Sequence, residues 1–172
     1  MIHFILLQVE MSTADGKHAE CIRFMYVHIE NLLQNKQGKT RISKWYSPFE
    51  HDEKRRLESE IHRVLIRRPT KFSSFIEFRK YTLVYRRYAG LYFTLCVDPN
   101  DNELSYLEAI HLFVEILDKY FGSVCELDLV FGFYKVFALL DEFICGGEIQ
   151  ETSKRIVMGR IRALEEHEKK SK

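Results

Sequence analysis

The sequence predicts an α+β domain in which a mainly antiparallel sheet packs against helices. Short β-prone segments joined by short turns fill much of the first 97 residues, and helical periodicity dominates the remainder. Only three prolines and eight glycines occur, so no low-complexity linker divides the chain. A length of 172 residues fits one domain with a sizeable core.

The first part of the chain supplies the predicted strands. Residues 2–8 are apolar and β-prone, and residues 40–46 alternate polar with apolar side chains as a half-buried strand does. Two further strands are predicted at 75–78 and 83–85. Residues 91–97 are almost wholly apolar or aromatic, which indicates a central strand buried on both faces.

The predicted helices differ in their apolar patterns. Residues 47–50 read Ser-Pro-Phe-Glu, which predicts a helix start with a capping box. A second amphipathic helix is predicted at 104–121. Residues 127–145 are apolar nearly all round, so they are predicted to form one buried helix. Thr152 or Ser153 is expected to cap a last amphipathic helix.

Charge nearly cancels over the chain, with 26 Lys and Arg against 25 Asp and Glu. It is unevenly spread: residues 1–97 carry 17 basic and 10 acidic side chains, 98–151 carry 2 and 12, and 152–172 carry 7 and 3. The overall balance argues against a nucleic-acid binder, and the partition indicates protein partners of mixed sign. Ordinary solvated faces are the alternative interpretation.

The sequence contains no recognisable catalytic, nucleotide-binding or metal-binding motif. No nucleophile elbow, phosphate-binding loop, dinucleotide fingerprint or zinc spacing occurs. Residues 98–109 begin like a calcium loop, but Glu103 and Ala109 stand where the loop needs glycine and glutamate. We therefore expect no enzyme activity, no cofactor and no metal.

The sequence also bears on location. The four cysteines form no C-x-x-C pair, which is typical of free thiols in a reducing compartment. No stretch of 18 uninterrupted apolar residues occurs, so no transmembrane helix is predicted. We expect a cytoplasmic protein that associates with membranes through partners.

Several long strings resemble the small (sigma) subunits of clathrin adaptor complexes. The resemblance implies a longin-like fold of about five antiparallel strands flanked by helices, with extra C-terminal helices. It implies one domain over residues 1–165, followed by a charged tail at 166–172. The strings that carry the resemblance are residues 38–46, 85–93, 101–111, 124–131 and 147–154.

Membership of this family implies a structural role in a heterotetramer. The sigma subunit packs against a large chain, beside beta-adaptin and a medium mu chain, and meets clathrin and the membrane indirectly. Residues 86–90 and 133–136 are similar to adaptor complex 2, which contains alpha-adaptin and acts in endocytosis at plasma-membrane coated pits. Residues 119–123 and 141–143 are similar to adaptor complex 1, which contains gamma-adaptin and acts at the trans-Golgi network and endosomes. Adaptor complex 2 is the favoured interpretation.

The family also binds acidic dileucine sorting signals: Asp or Glu, three residues of any type, Leu, and then Leu or Ile. The resemblance implies an apolar pocket for the two leucines, with Ser123 at its rim, and positive charge from Arg41 and Arg87. The alternative is that the apolar residues are simply core. Ser123 and Gly132 both stand where the family usually has asparagine, and a glycine inside a helix costs about 1 kcal/mol. Matched by motif, the pocket residues are Ala89, Leu91, Val114, Ser123, Val124, Leu127 and Leu129.

Residues 9–34 have no counterpart in the family, which needs only a short link there. We interpret them as an insertion in the first hairpin: either a loop with a short helix at 22–33, or the product of a mistaken gene model or a splice variant. The rival function is a longin-type regulator of vesicle fusion or of a small GTPase. The sequence contains neither fusion-protein heptads nor a lipidation signal.

Overall fold

A computed structural model describes residues 22–29, 40–69, 73–88 and 90–170. The predicted α+β class is confirmed. The strands of the main sheet are β1 (Ile22–Ile29), β2 (Thr40–Trp45), β3 (Phe75–Phe78), β4 (Tyr81–Tyr88) and β5 (Leu91–Val97). The helices are α1 (His51–Ile66), α2 (Glu103–Phe121), α3 (Glu126–Phe131), α4 (Phe133–Phe143) and α5 (Lys154–Lys170). A short hairpin, β6 (Ile144–Cys145) and β7 (Glu148–Ile149), connects α4 to α5.

The five strands pair in the order β2-β1-β5-β4-β3, antiparallel throughout. All seven residues of β5 are buried, which confirms the predicted central strand. The sheet separates two cores because successive side chains of a strand point to opposite faces. On one face, α1 packs through Leu57, Ile61 and Leu65. On the other, α2, α3, α4 and α5 share a larger core.

The strand beside β2 comes from an unexpected part of the sequence. Residues 22–29 form β1, between β2 and β5, so the predicted loop and short helix are wrong for these residues. Ile22 and Met25 are at most 1% exposed. The backbone N–H of Ile22 donates to the carbonyl of Gly147, 2.7 Å away. Residues 2–8, the predicted first strand, lie outside the described residues.

Two predicted helix boundaries need correction. The first helix begins at His51, after Glu50, which is extended and makes no capping hydrogen bond with its side chain, so the predicted capping box is wrong. At the other end of the chain, α5 extends to Lys170. Residues 166–170 therefore belong to the last helix, and the predicted boundary before a tail at 166 is wrong. The carbonyl of Ser153 accepts the first hydrogen bonds of α5, from Ile156 and Val157.

The predicted buried helix at 127–145 is two helices separated by Gly132. A Cβ added at Gly132 would lie 2.7 Å from the carbonyl oxygen of Asp128 and 2.9 Å from the ring of Phe121. The close approach therefore requires glycine. Because Gly132 lies between helices, the cost expected for glycine inside a helix does not apply. The break also leaves apolar side chains of both helices at the surface.

A charged cluster joins α2, α4 and α5. Lys135 Nζ lies 2.8 Å from Glu165 Oε1, and the hydroxyl of Tyr120 donates to the same carboxylate. The hydrogen bond with Lys135 lowers the pKa of Glu165, and Tyr120 adds to the effect. The same bond raises the pKa of Lys135. Lys135 and Glu165 are only 18% and 26% exposed, so the pair is shielded from water and fixes α5 in place.

Candidate functional site

Arg41 lies where β2 departs from regular pairing with β1. His28 is opposite Thr40, whereas Val27 is opposite Ile42, so Arg41 has no direct partner across the pair. An extra residue on one strand is a β-bulge, and a bulge changes the direction in which side chains leave the strand. The bulge in β2 is therefore at Arg41, the residue that the sequence analysis proposed as a source of positive charge for an acidic signal.

The bulge sends the neighbours of Arg41 to different faces. Thr40 Oγ1 donates to Glu58 Oε2 on α1 at 3.2 Å, whereas Ile42 is buried in the core on the α2 side. In a regular strand these two residues would share a face. Arg41, between them, reaches α3, where its Nη2 donates to Glu126 Oε1 at 2.5 Å.

The guanidinium of Arg41 has donor capacity left over. The side chain is 20% exposed, against 43% for Glu126. Within the described part of the chain, its buried Nε atom has no hydrogen-bond partner. Arginine carries five N–H donors in a planar fork suited to carboxylates. The site can therefore bind a carboxylate in addition to Glu126 or in its place.

Four of the predicted pocket residues belong to the larger core. Leu91, Val114 and Leu129 are at most 4% exposed. Val124 is half-buried and packs against the same cluster. Because a core at this burial has little spare volume, two leucines of a ligand can enter only if α3 or the loop before it is displaced. The apolar residues predicted to line the pocket are therefore together, but no open cavity for two leucine side chains lies between them.

The remaining pocket residues are placed differently. Leu127 is 61% exposed on α3, next to Glu126. Ser123 is exposed and has a φ of 90°, in a region that favours glycine or asparagine over serine. Val124 donates its backbone N–H to Asp118 Oδ1 at 2.8 Å, which ties the loop to the end of α2. Ala89 lies outside the described residues.

Arg87 lies on the opposite face of the sheet from this cluster. Its guanidinium carbon is 5.8 Å from the ring centroid of Tyr92, whose side chain packs with α1. Leu91, the neighbour of Tyr92 in sequence, packs on the α2 side. The resemblance implied that Arg87 lies together with Arg41 and Val114. The structure does not bring Arg87 to these residues.

A second surface feature is the exposed part of α3 and α4. Leu127, Val130 and Phe131 lie on one side of α3 at helical spacing. Phe133 and Tyr134 continue the apolar area on α4, with ring centroids 6.0 Å apart. Phe131 is 76% exposed, which is unusual for an aromatic side chain and typical of interaction sites. We call these five residues the α3–α4 apolar surface.

Sequence reasoning missed Glu126 as a partner of Arg41. Its only signal was its position, directly before the leucines at 127 and 129. The two residues are 85 positions apart in the sequence, so only the packing of α3 beside β2 joins them.

The described residues contain no group of three or more side chains suited to hold a metal ion. No helix among these residues is long and apolar enough to span a membrane. Cys96, Cys125 and Cys145 are free thiols.

Family, sequence and structure each relate this chain to known proteins. Residues 26–168 match the family described as clathrin adaptor complex small chain. The AP-2 complex subunit sigma of Dictyostelium discoideum is 61% identical over 134 residues, which cover 78% of this chain and 94% of that protein. The protein of the same name from Schizosaccharomyces pombe is 59% identical over 138 residues, 80% of this chain and 96% of that protein.

More distant relatives agree with this grouping. The AP-1 complex subunit sigma-2 of Dictyostelium discoideum is 55% identical over 130 residues, 76% of this chain and 84% of that protein. A chain of a structure described as a homology model of the full-length AP-3 complex in a stretched open conformation superposes with a TM-score of 0.65. It is 26% identical, and the match covers 87% of this chain and 96% of that chain. The longin-like fold is therefore confirmed, and the chain belongs to the clathrin adaptor complex small-chain family.

Proposed function

We propose that this chain is the sigma subunit of adaptor complex 2 and binds acidic dileucine signals during clathrin-mediated endocytosis. In this proposal it stabilises the complex with alpha-adaptin, beta-adaptin and a mu chain at the cytoplasmic face of coated pits. The observation that carries the assignment is the similarity to AP-2 sigma subunits across nearly their whole length.

The alternative is a sigma subunit of adaptor complex 1 at the Golgi and endosomes. Both kinds of relative from Dictyostelium discoideum can be compared directly. Identity is 61% to the AP-2 subunit and 55% to the AP-1 subunit, and coverage of the relative is 94% against 84%. Both measures favour complex 2.

Co-purification of the large chains tests the assignment. The tagged chain is expected to recover alpha-adaptin from its own cells. Recovery of gamma-adaptin instead would support complex 1, and recovery of neither large chain would overturn the proposal.

The α3–α4 apolar surface supports a role inside a permanent complex. Aromatic side chains at this exposure are costly in water and are enriched at interfaces. We expect Phe131→Ser to reduce recovery of the large chain, because a large contact area is lost. Leu104→Ser is the matched control, since Leu104 is 68% exposed at the start of α2, outside this surface. Equal loss in both variants, or none in Phe131→Ser, would exclude the surface.

The cargo site is supported by the position of Arg41. Its partly shielded guanidinium has a buried N–H that no described residue accepts from, and α3 places the apolar residues Leu127 and Leu129 beside Glu126. Burial of each leucine contributes about 1.5–3 kcal/mol, so most affinity comes from the leucines. The ion pair mainly distinguishes acidic signals from neutral ones.

Arg41→Ser in the assembled complex is expected to weaken binding of an acidic dileucine peptide about tenfold. Lys44→Ser is a matched control, because Lys44 is on the same strand and pairs with Asp141 at 2.7 Å. Peptide affinity measured by fluorescence anisotropy should fall only in the first variant. Unchanged affinity in Arg41→Ser would remove this residue from the site. Val114→Asp is unsuitable, because a charge at this 4% exposed position would disrupt the core.

A further inference from the structure

The solvent face of α1 carries a row of positive charge. Its members are exposed arginines, and helical spacing places them opposite Leu57, Ile61 and Leu65, which pack on the sheet. The row runs along the helix and onto the residue that follows it, over a rise of about 18 Å. We call this set the α1 basic row; it consists of Arg55, Arg56, Arg63 and Arg67.

The charges of the α1 basic row are not compensated by neighbouring carboxylates. Within the described part of the chain, none of its four guanidinium groups forms an ion pair. The two acidic residues in this part of α1 lie at the edges of the row and bind elsewhere. Glu60 accepts two hydrogen bonds from Arg79, and Glu58 accepts one from Thr40.

Helix stability does not account for the α1 basic row. Acidic residues stabilise the first turn of a helix and basic residues the last, and the effect falls off within those turns. The acidic first turn of α1 and Arg63 in its last turn fit this rule, but Arg55 and Arg56 lie outside the last turn. Arg63 and Arg67 are four residues apart, a spacing at which like charges destabilise a helix slightly. The row therefore has the character of a binding surface.

The two faces of the sheet differ in charge. Residues 98–172, which supply the helices of the face opposite α1, carry nine basic and 15 acidic side chains. Residues 61–97, from the end of α1 to β5, carry eight basic side chains and a single acidic one, Glu77. A negatively charged surface therefore attracts the side of the molecule that holds the α1 basic row and repels the opposite side, which orients the chain.

The shape of this face suits a flat anionic surface better than a protein segment. Among the described helices, α1 alone packs on its side of the sheet, and none of the four arginines lines a cavity, so the row lies on a ridge. Protein interfaces have an apolar core, whereas the only large apolar residue exposed on α1 is Ile66, at 39%. Anionic lipid headgroups require only charge, and each arginine near such a membrane adds to the attraction.

We infer that the α1 basic row binds the surface of a membrane that contains anionic lipids, through charge and without selecting a particular headgroup. The row lies on the other face of the sheet from the α3–α4 apolar surface, so a partner bound at that surface leaves the row accessible. The inference does not depend on the proposed cargo function.

Vesicle flotation with the full-length chain tests this inference. Vesicles of phosphatidylcholine with phosphatidylserine present an anionic surface, and vesicles of phosphatidylcholine alone are the uncharged control. The chain is expected to float only with the anionic vesicles. Binding should weaken as the salt concentration rises from about 0.1 M to about 1 M, because the Debye length falls from about 10 Å to about 3 Å.

A variant with glutamine at all four positions of the α1 basic row should bind anionic vesicles at least about tenfold more weakly. The control variant removes the same net charge from exposed positions of α5, on the opposite face, and should bind like the original chain. Circular dichroism melting checks that both variants fold, which is expected because all eight side chains are exposed. The control substitutions are Arg155→Gln, Arg162→Gln, Lys169→Gln and Lys170→Gln.

Loss of vesicle binding in the row variant alone supports the inference. It is overturned if the original chain does not bind anionic vesicles, if it binds uncharged vesicles equally well, or if both variants lose binding equally. Titration with poly-glutamate identifies the alternative partner. A row variant that keeps vesicle binding but loses poly-glutamate binding would assign the row to an acidic protein segment and overturn the membrane inference.

Discussion

Arg41 and Glu126 show how a single residue sets the properties of the candidate cargo site. A bulge directs Arg41 towards α3, and Glu126 then occupies one edge of its guanidinium at 2.5 Å. Under the proposed function, an incoming acidic residue must share the arginine with Glu126 or displace it. The proposal therefore predicts that the carboxylate of Glu126 competes with the acidic residue of the signal.

Glu126→Gln should strengthen binding of an acidic dileucine peptide to the assembled complex by about threefold to tenfold, because the amide removes the competing charge. A peptide with glutamine in place of its acidic residue should gain nothing. Fluorescence anisotropy with both peptides measures the difference. Asp141→Asn, which neutralises the partner of Lys44, is the control. Equal gains for both peptides would contradict competition at Arg41.

Gly132→Ala tests the close contact between α3 and α4. Its φ of −99° suits any residue, so the expected cost is steric. The new Cβ would lie 2.7 Å from the backbone oxygen of Asp128, which can move only with the helix. The free energy of unfolding should fall by about 1–3 kcal/mol in urea denaturation.

Gly159→Ala is the control for this substitution. Gly159 is in α5, and a Cβ there would meet nothing within 4 Å. Because alanine has the higher helix propensity, this variant should gain about 0.5–1 kcal/mol. A Gly132→Ala variant as stable as the original chain would show that the junction adapts freely.

At the scale of elements, polar contacts determine how the C-terminal helices pack together. The sequence of each helix does not show which other helices it contacts. Lys135 of α4 and Tyr120 of α2 meet on Glu165 of α5. The mixed amphipathic pattern of α5 predicted a helix, but the charged cluster and the buried Val157 and Ile161 define how it docks.

Glu165→Gln should lower the free energy of unfolding by about 1 kcal/mol at neutral pH, since the bond with Lys135 loses its charge. The pKa of Glu165 is lowered in the fold, so its carboxylate stabilises the protein above the ordinary glutamate pKa of about 4.3. That contribution is lost as the pH falls through the lowered value.

Urea denaturation of both proteins across the acidic range measures this effect. The difference between them should therefore shrink below about pH 4 and vanish once Glu165 is protonated. Glu166→Gln, at an exposed position one residue further on α5, should show no such pH dependence. A constant difference across the pH range would contradict the assignment.

At the scale of the whole molecule, two segments have the sequence of the same strand. Residues 2–8 and 22–28 both begin with Ile, a His or Arg, and Phe, and both continue with mostly apolar residues. Among the described residues, 22–29 occupy the position between β2 and β5. Because the two segments are similar in sequence, the apolar run at 2–8 was also a strand candidate.

Deletion variants test whether either segment can complete the sheet. A chain without residues 1–21 should unfold cooperatively, because β1 is retained. A chain without residues 9–34 should also do so, because residues 2–8 can then pair with β2 and β5 across a short link. A chain without residues 1–34 should lose its cooperative transition in thermal melting, since the position beside β5 is empty. Loss of the transition in the second variant would show that only residues 22–29 fit the sheet.

Local patterns were enough to predict most of the fold. The alternation in 40–46, the apolar run of 91–97 and the helical period of 104–121 predicted β2, β5 and α2, because each pattern reflects a buried face that is repeated along the segment. The family was predicted separately, from the resemblance of long strings to adaptor small chains.

Only the tertiary structure decided contacts between distant parts of the chain. It placed residues 22–29 as β1, divided 127–145 at Gly132, and placed Arg87 on the opposite face of the sheet from the residues around Val114. It also joined Arg41 to Glu126 through a bulge. A repeating pattern determines an element and its buried face, whereas register, close backbone approach and ion pairing depend on which elements meet. The sequence therefore determined the family and the elements, and the packing decided which charges lie on each face.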